Sequence, residues 1–147
     1  MATAGTGLSQ AAAALIDAFN RADWDTFRAS ITPDLVYTET GTGRHVEGAD
    51  PYLKLSQGWK AAFPDATGTI QSVIATGDVV AQEVVWEGTH SGALQTAEGI
   101  IEGTGNRVHV NAVMWYRFDG DRAREIHHYL DALALLQQVQ GTAAPVP

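Results

Sequence analysis

Apolar positions along this chain recur in two rhythms, one helical and one alternating. After Ser9, AAAALIDAFNRADW places Ala12, Leu15, Ile16, Phe19 and Ala22 at helical spacing, which predicts an amphipathic helix with Ser9 as its N-cap. Asp23-Trp24-Asp25 opens a second, short helix with Trp24, Phe27 and Ile31 on its buried side, ended by Pro33-Asp34. Residues 35–39 (LVYTE) read as a short strand, and the glycines of TGTGRHVEG after it predict an irregular loop. Pro51 starts a third helix whose stripe is Tyr52, Leu55, Trp59, Ala62 and Phe63, and Pro64 stops it.

From there the rhythm changes to alternation. Strands are predicted over 67–75 and 79–88 with a Gly77-Asp78 turn, followed by a loop through 91–105. In RVHVNAVMWYRFD, Val108, Val110, Ala112, Met114 and Tyr116 form one nearly apolar parity, and His109, Asn111, Val113, Trp115 and Arg117 the other. Asp119-Gly120-Asp121 turns the chain into a return strand, 123–131, and a last helix covers 131–139. Three helices before a run of long strands predict an α+β fold, a curved antiparallel sheet wrapped around N-terminal helices. Such a wrap leaves a cone-shaped pocket. One domain over 8–140 is expected, with 1–7 and 141–147 as frayed tails.

Composition narrows the classes. The chain has 147 residues and no cysteine, which excludes disulfides, thiol nucleophiles and thiolate metal sites. No apolar run approaches the roughly 20 residues that cross a bilayer, and no signal-peptide pattern opens the sequence, so a cytoplasmic location is expected. The net charge is −8, and residues 61–106 hold six acids without a lysine or arginine. A nucleic-acid partner needs the opposite sign. The acidic stretch reads as a solvated face.

Three places can carry chemistry. On 79–90, Glu83 and Glu87 mark the outward parity, so Gln82, Trp86 and His90 face inward. Gln82 among apolar neighbours needs a partner, supplied by a ligand, a buried water or the backbone. His90, where the strand leaves the sheet, either orients a ligand or exchanges its proton, or else pins the turn. On the return strand His127, Tyr129 and Asp131 share a parity and His128 and Leu130 the other, which leaves open whether His127 or His128 faces the pocket. A carboxylate sunk in an apolar cone has its pKa raised and can both take and give a proton, whereas the same Asp131 also suits the N-cap of the last helix. Tyr37, Trp59, Phe63, Met114 and Tyr116 complete the candidate lining with Gln82, Trp86 and Tyr129. The histidines have no metal-ligand spacing, so no metal site is expected.

Several stretches together resemble the SnoaL-like polyketide cyclase (ester cyclase) family, which shares the cone-shaped fold of nuclear transport factor and ketosteroid isomerase. They are AFNRADWDTF (18–27), TPDLVY (32–37), AAFPD (61–65), GDVVAQEVVWEGTHSG (77–92) and YRFDGDRAREIHHYLDALALLQQ (116–138). The resemblance implies intramolecular aldol condensation of a hydrophobic aromatic polyketide ester, without cofactor or metal. It also implies that Asp131 is the general acid/base; the reading of the residues adds His90 and His127 as catalytic candidates. The same pocket could instead serve an isomerase, epoxide hydrolase or hydroxylase-like reaction, or bind a small molecule without catalysis. Epoxide opening wants a second carboxylate and an arginine. Finally, Val79, Ala81, Val85, Val113 and Trp115 on the outward parities predict a homodimer or homotetramer, with Arg117 pairing across the interface to Glu83 or Glu87.

Overall fold

The computed structural model describes residues 4–142, and their side chains from Gly7 onward. Its elements run α1 (Ala4–Asn20), α2 (Trp24–Ala29), β1 (Ile31–Thr40), β2 (Arg44–Glu47), α3 (Ala49–Ala62), β3 (Thr67–Thr76) and β4 (Val79–Thr89). They continue with β5 (Leu94–Thr96), β6 (Gly99–Ile101), β7 (Arg107–Asp119), β8 (Arg122–Leu130) and α4 (Ala132–Gln140). Six strands form one curved sheet in the order β2-β1-β8-β7-β4-β3, while β5 and β6 make a separate hairpin. Neighbours in the large sheet are antiparallel except β1 and β8, which run parallel. The expected α+β cone is therefore the observed fold.

Its core is the inside of the cone. The inner parities of β4 (Val80, Gln82, Val84) and β7 (Val108, Val110, Met114, Tyr116, Phe118) are buried against Ala12, Leu15, Ile16 and Phe19 of α1. Burying such side chains stabilises by roughly 1.5–3 kcal/mol each, which makes this face the main source of stability. Asn20 ties the helix end to the sheet. Its amide exchanges two hydrogen bonds with the backbone of Gly68, 2.9 and 2.8 Å. Among described residues no helix is long and apolar enough to cross a membrane.

Local expectations change in five places. The first helix begins at Ala4, so Ser9 lies inside it rather than capping it, and residues 4–7 belong to the helix and not to a tail. Residues 1–3 and 143–147 lie outside the described residues. The second helix ends at Ala29, and Ile31 through Asp34 already belong to β1. Pro33 and Asp34 sit exposed where the β1–β8 register jumps between Ile31 and Val36, so the ladder loses nothing to the proline. The glycine-rich segment after β1 is a turn followed by β2, because Gly41 and Gly43 take positive φ and reverse the chain. The loop through 91–105 carries the β5–β6 hairpin.

The fifth change matters most for function. The β7–β8 register shifts between Arg117 and Phe118, so an extra residue, Arg124, is inserted in β8. Ala123 faces inward, and beyond the bulge Ile126 and His128 do so as well. His127 and Tyr129 are thereby turned to the outer face. There His127 Nε2–H donates to Glu125 Oε2 at 2.9 Å and the ring lies 5.1 Å, centre to centre, from that of Trp115. Tyr129 is half exposed.

Candidate active site

The chamber inside the cone is lined by Leu15, Ile16 and Phe19 of α1, by Tyr52 and Trp59 of α3 and its C-cap Phe63, and by Val110 and Met114 of β7. Into this apolar wall project Tyr37, Trp86 and His128. The parallel register sets Glu39 beside His128 and Tyr37 beside Ile126, so β1 and β8 deliver their polar groups to one spot. Trp86 reaches them because its cross-strand partner is Gly68. A β-carbon there would lie 2.5 Å from the indole ring. The ring packs on the bare backbone and edge-on to Phe19, 5.3 Å between centroids.

A continuous hydrogen-bonded chain results. The Trp86 indole N–H donates to His128 Nε2 at 3.2 Å, so Nε2 carries the lone pair and Nδ1 the proton. Nδ1–H then donates to the Tyr37 hydroxyl at 2.9 Å, and that hydroxyl donates to Glu39 Oε2. Glu39, wholly buried, accepts in addition from Trp59 Nε1 (3.3 Å), Thr42 Oγ1 (2.6 Å) and Arg44 Nη1 (3.0 Å). Every lone pair of the carboxylate has a donor, which is what lets a charge persist in such a place.

Protonation follows from two opposed effects. Burial pushes His128 down to about 4, against the upward pull of Glu39, whose Oε2 lies 3.9 Å from Nδ1. That attraction is worth about 4 kcal/mol for a charged ring at an effective dielectric near 20, yet desolvation outweighs it. For Glu39, burial pushes the carboxyl up. His128, Thr42, Tyr37 and Arg44 together pull harder, and the group lies below its ordinary value. Burial and the Glu39 charge hold the Tyr37 phenol well above its usual range. At neutral pH the assembly is an ionised glutamate, a neutral phenol and a neutral imidazole.

The expected site residues are distributed differently. Tyr37, Trp59, Phe63, Trp86 and Met114 line the chamber. Gln82 and Tyr116 are buried behind that lining and bonded to each other, Tyr116 O–H to Gln82 Oε1 at 2.7 Å. Asp131 is exposed, and its carboxylate accepts from the Ala134 amide at 3.1 Å as the N-cap of α4. The expectation of a carboxylate sunk in the cone is not met, because β8 ends one residue earlier and the bulge reverses its parity. His90 is fully buried but outside the chamber. Its Nδ1 accepts from the Thr104 amide at 3.2 Å and stands 3.0 Å from the Thr104 hydroxyl, which pins the base of the 91–105 segment. His127 and Tyr129 face outward, as described.

His128, Glu39 and Arg44 were missing from the expected set. The signal for His128 was present, since Ile126 and Leu130 flank it in one parity. Leu35, Tyr37 and Glu39 likewise form one parity of β1. Among described residues no group of three or more histidines or carboxylates could hold a metal ion.

A cone of this kind with a buried acid/base chain defines an α+β barrel of the ketosteroid-isomerase type. The SnoaL-like polyketide cyclase family model matches residues 9–139, so the chain belongs to that family. It is similar to IdmH of Streptomyces antibioticus, a candidate polyketide cyclase, with 30% identity over 90% of this chain and 98% of that one, TM-score 0.76. AclR of Streptomyces galilaeus, a candidate hydroxylase, is 27% identical over 95% and 84% of the two chains, TM-score 0.78. A SnoaL-like protein from Jannaschia sp. CCS1 is only 20% identical but superposes over 99% and 98%, TM-score 0.84, which shows the shared fold. No protein of curated function matches the sequence.

Proposed function

We propose that the chain is a cofactor-free acid/base enzyme that closes a ring of a hydrophobic aromatic polyketide ester by intramolecular aldol condensation. The observation that carries this reading is the neutral His128 ring. It is set in an apolar chamber and backed through Tyr37 by a buried, ionised Glu39. His128 Nε2 takes a proton from a carbon flanked by carbonyls, and the resulting enolate attacks a ketone carbonyl to form the carbon–carbon bond. The imidazolium returns the proton to the new alkoxide, so the enzyme ends as it began. Glu39 stabilises the transient imidazolium, and the Trp86 N–H, freed from Nε2, is placed to bond the enolate oxygen.

The weak basicity of a ring near 4 fits a carbon acid that is already acidic, as a β-dicarbonyl conjugated to an aromatic system is. Epoxide opening has less support. The relay holds one carboxylate, Glu39, already saturated with donors, and Asp131 stands outside the chamber.

The test is incubation with a panel of anthraquinone-type β-keto methyl esters, following cyclised product by mass spectrometry. At least one ester should cyclise, and the His128→Gln variant should lose about 10²–10⁴-fold of that rate. A panel that is bound but never converted would favour a binding module.

A further inference from the structure

The chamber is small. It holds about 80 Å³, against the roughly 300–1,000 Å³ of ordinary ligand sites. Directly outside lies a cleft of about 690 Å³ between the 41–43 turn, the β5–β6 hairpin and α4. Trp59 and Leu135 line both spaces, so they form the wall between them.

Arg44 holds this wall at three points. Its guanidinium lies 4.7 Å from the centre of the Trp59 ring. Nη1 donates to Glu39 Oε1 at 3.0 Å, and Nη2 donates to the Gln95 carbonyl in β5. Trp59 itself donates to the other Glu39 oxygen. One cation thus joins the hairpin, the gate ring and the relay carboxylate.

We propose that Arg44 is a positioning residue that couples ligand admission to the proton relay. Swinging the hairpin and Trp59 aside withdraws the guanidinium from Glu39, and closure over the ligand restores it. The inference rests on the His128–Tyr37–Glu39 chain being the acid/base centre. The titratable and charged groups facing one another here are Tyr37 and Glu39 from β1, Arg44 from β2, Tyr52 from α3 and His128 from β8. Glu87 borders the chamber, but its carboxylate turns to His109 at 3.5 Å. With Arg44 present this group is electrically neutral. Without it a buried carboxylate has no counter-ion and the Glu39–His128 pair takes up a proton more readily.

Three readouts test the coupling without any turnover. Ring-nitrogen NMR follows the protonation of His128 with pH. Stopped-flow tryptophan fluorescence follows the admission of 2-naphthol. Arg44→Ala should raise the midpoint of the His128 transition by about one pH unit or more. It should speed naphthol binding about tenfold or more and accelerate amide exchange in residues 94–101 beyond that of β7. Arg44→Lys, which keeps the charge but cannot span three partners, should restore the His128 midpoint and leave the hairpin loose. A general loss of stability would instead move all amides together and would overturn the proposal. So would an Arg44→Ala variant that admits naphthol faster with the His128 transition unchanged. Because none of these readouts involves cyclisation, failure of the proposed reaction stays distinguishable from failure of the coupling.

Discussion

His128 is neutral because it is buried, and that state has a measurable cost in acid. Unfolded, the ring titrates near 6.5, whereas folded it is held near 4, so between these values the unfolded chain binds the proton that the folded one refuses. Stability therefore falls as pH drops from about 6.5 to 4, by on the order of 3 kcal/mol, or about 10 °C in melting temperature. Glu39, whose value is lowered, adds loss of the same sign only at the acid end, below the unfolded carboxylate value. His128→Gln should flatten the slope between pH 6.5 and 4.5 in thermal melts. An unchanged slope in that variant would mean the ring is not desolvated as described. The sequence showed an acid/base cluster on the last strand but misplaced it by one residue. Asp131 drew the reading to its own parity, while the bulge at Arg124 that decides the parity leaves no periodic trace.

The β5–β6 hairpin and its root explain His90. The Thr104 amide and hydroxyl close on its Nδ1, the His90 carbonyl accepts from Gly105, and Thr104 also donates to the Val139 carbonyl of α4. Gly92 completes the root, since a β-carbon there would lie 2.0 Å from the Ala61 carbonyl oxygen. His90→Ala should accordingly loosen residues 91–105 in hydrogen exchange and leave the His128 transition in place. A change in the His128 transition equal to that of Arg44→Ala would give His90 a direct part in the chemistry. Long, strongly periodic elements were readable from the chain: α3, β4 and β7 fall within a few residues of their expected bounds. The β1–β2 turn and the hairpin were not, because glycine-rich segments carry no hydrophobic period. With them Arg44 was hidden, its role arising only when three distant backbone segments converge.

The cone fold follows from helices that need one apolar face covered and a sheet with one apolar parity to cover it. The opposite sheet face carries half-buried Val79, Val85, Val113 and Trp115. Arg117 there is engaged by Asp78 at 3.2 Å and Glu125 at 3.5 Å within its own chain. Arg117 therefore has partners within its own chain, and the apolar residues are the motive for the proposed association. A dimer through this face, at twice 15.7 kDa, is the expected outcome of sedimentation at micromolar concentration. A 15.7 kDa monomer would contradict it. Trp115→Glu should shift any dimer toward monomer without disturbing the chamber.

Deuterium uptake at the acidic carbon of an anthraquinone β-keto methyl ester in D₂O isolates proton abstraction from every later step. Wild-type protein and Asp131→Asn, which keeps a competent N-cap, should catalyse uptake at similar rates, and His128→Gln should be slower by about 10²–10⁴-fold. Uptake that survives His128→Gln and vanishes in Asp131→Asn would contradict the assignment of the acid/base centre to His128.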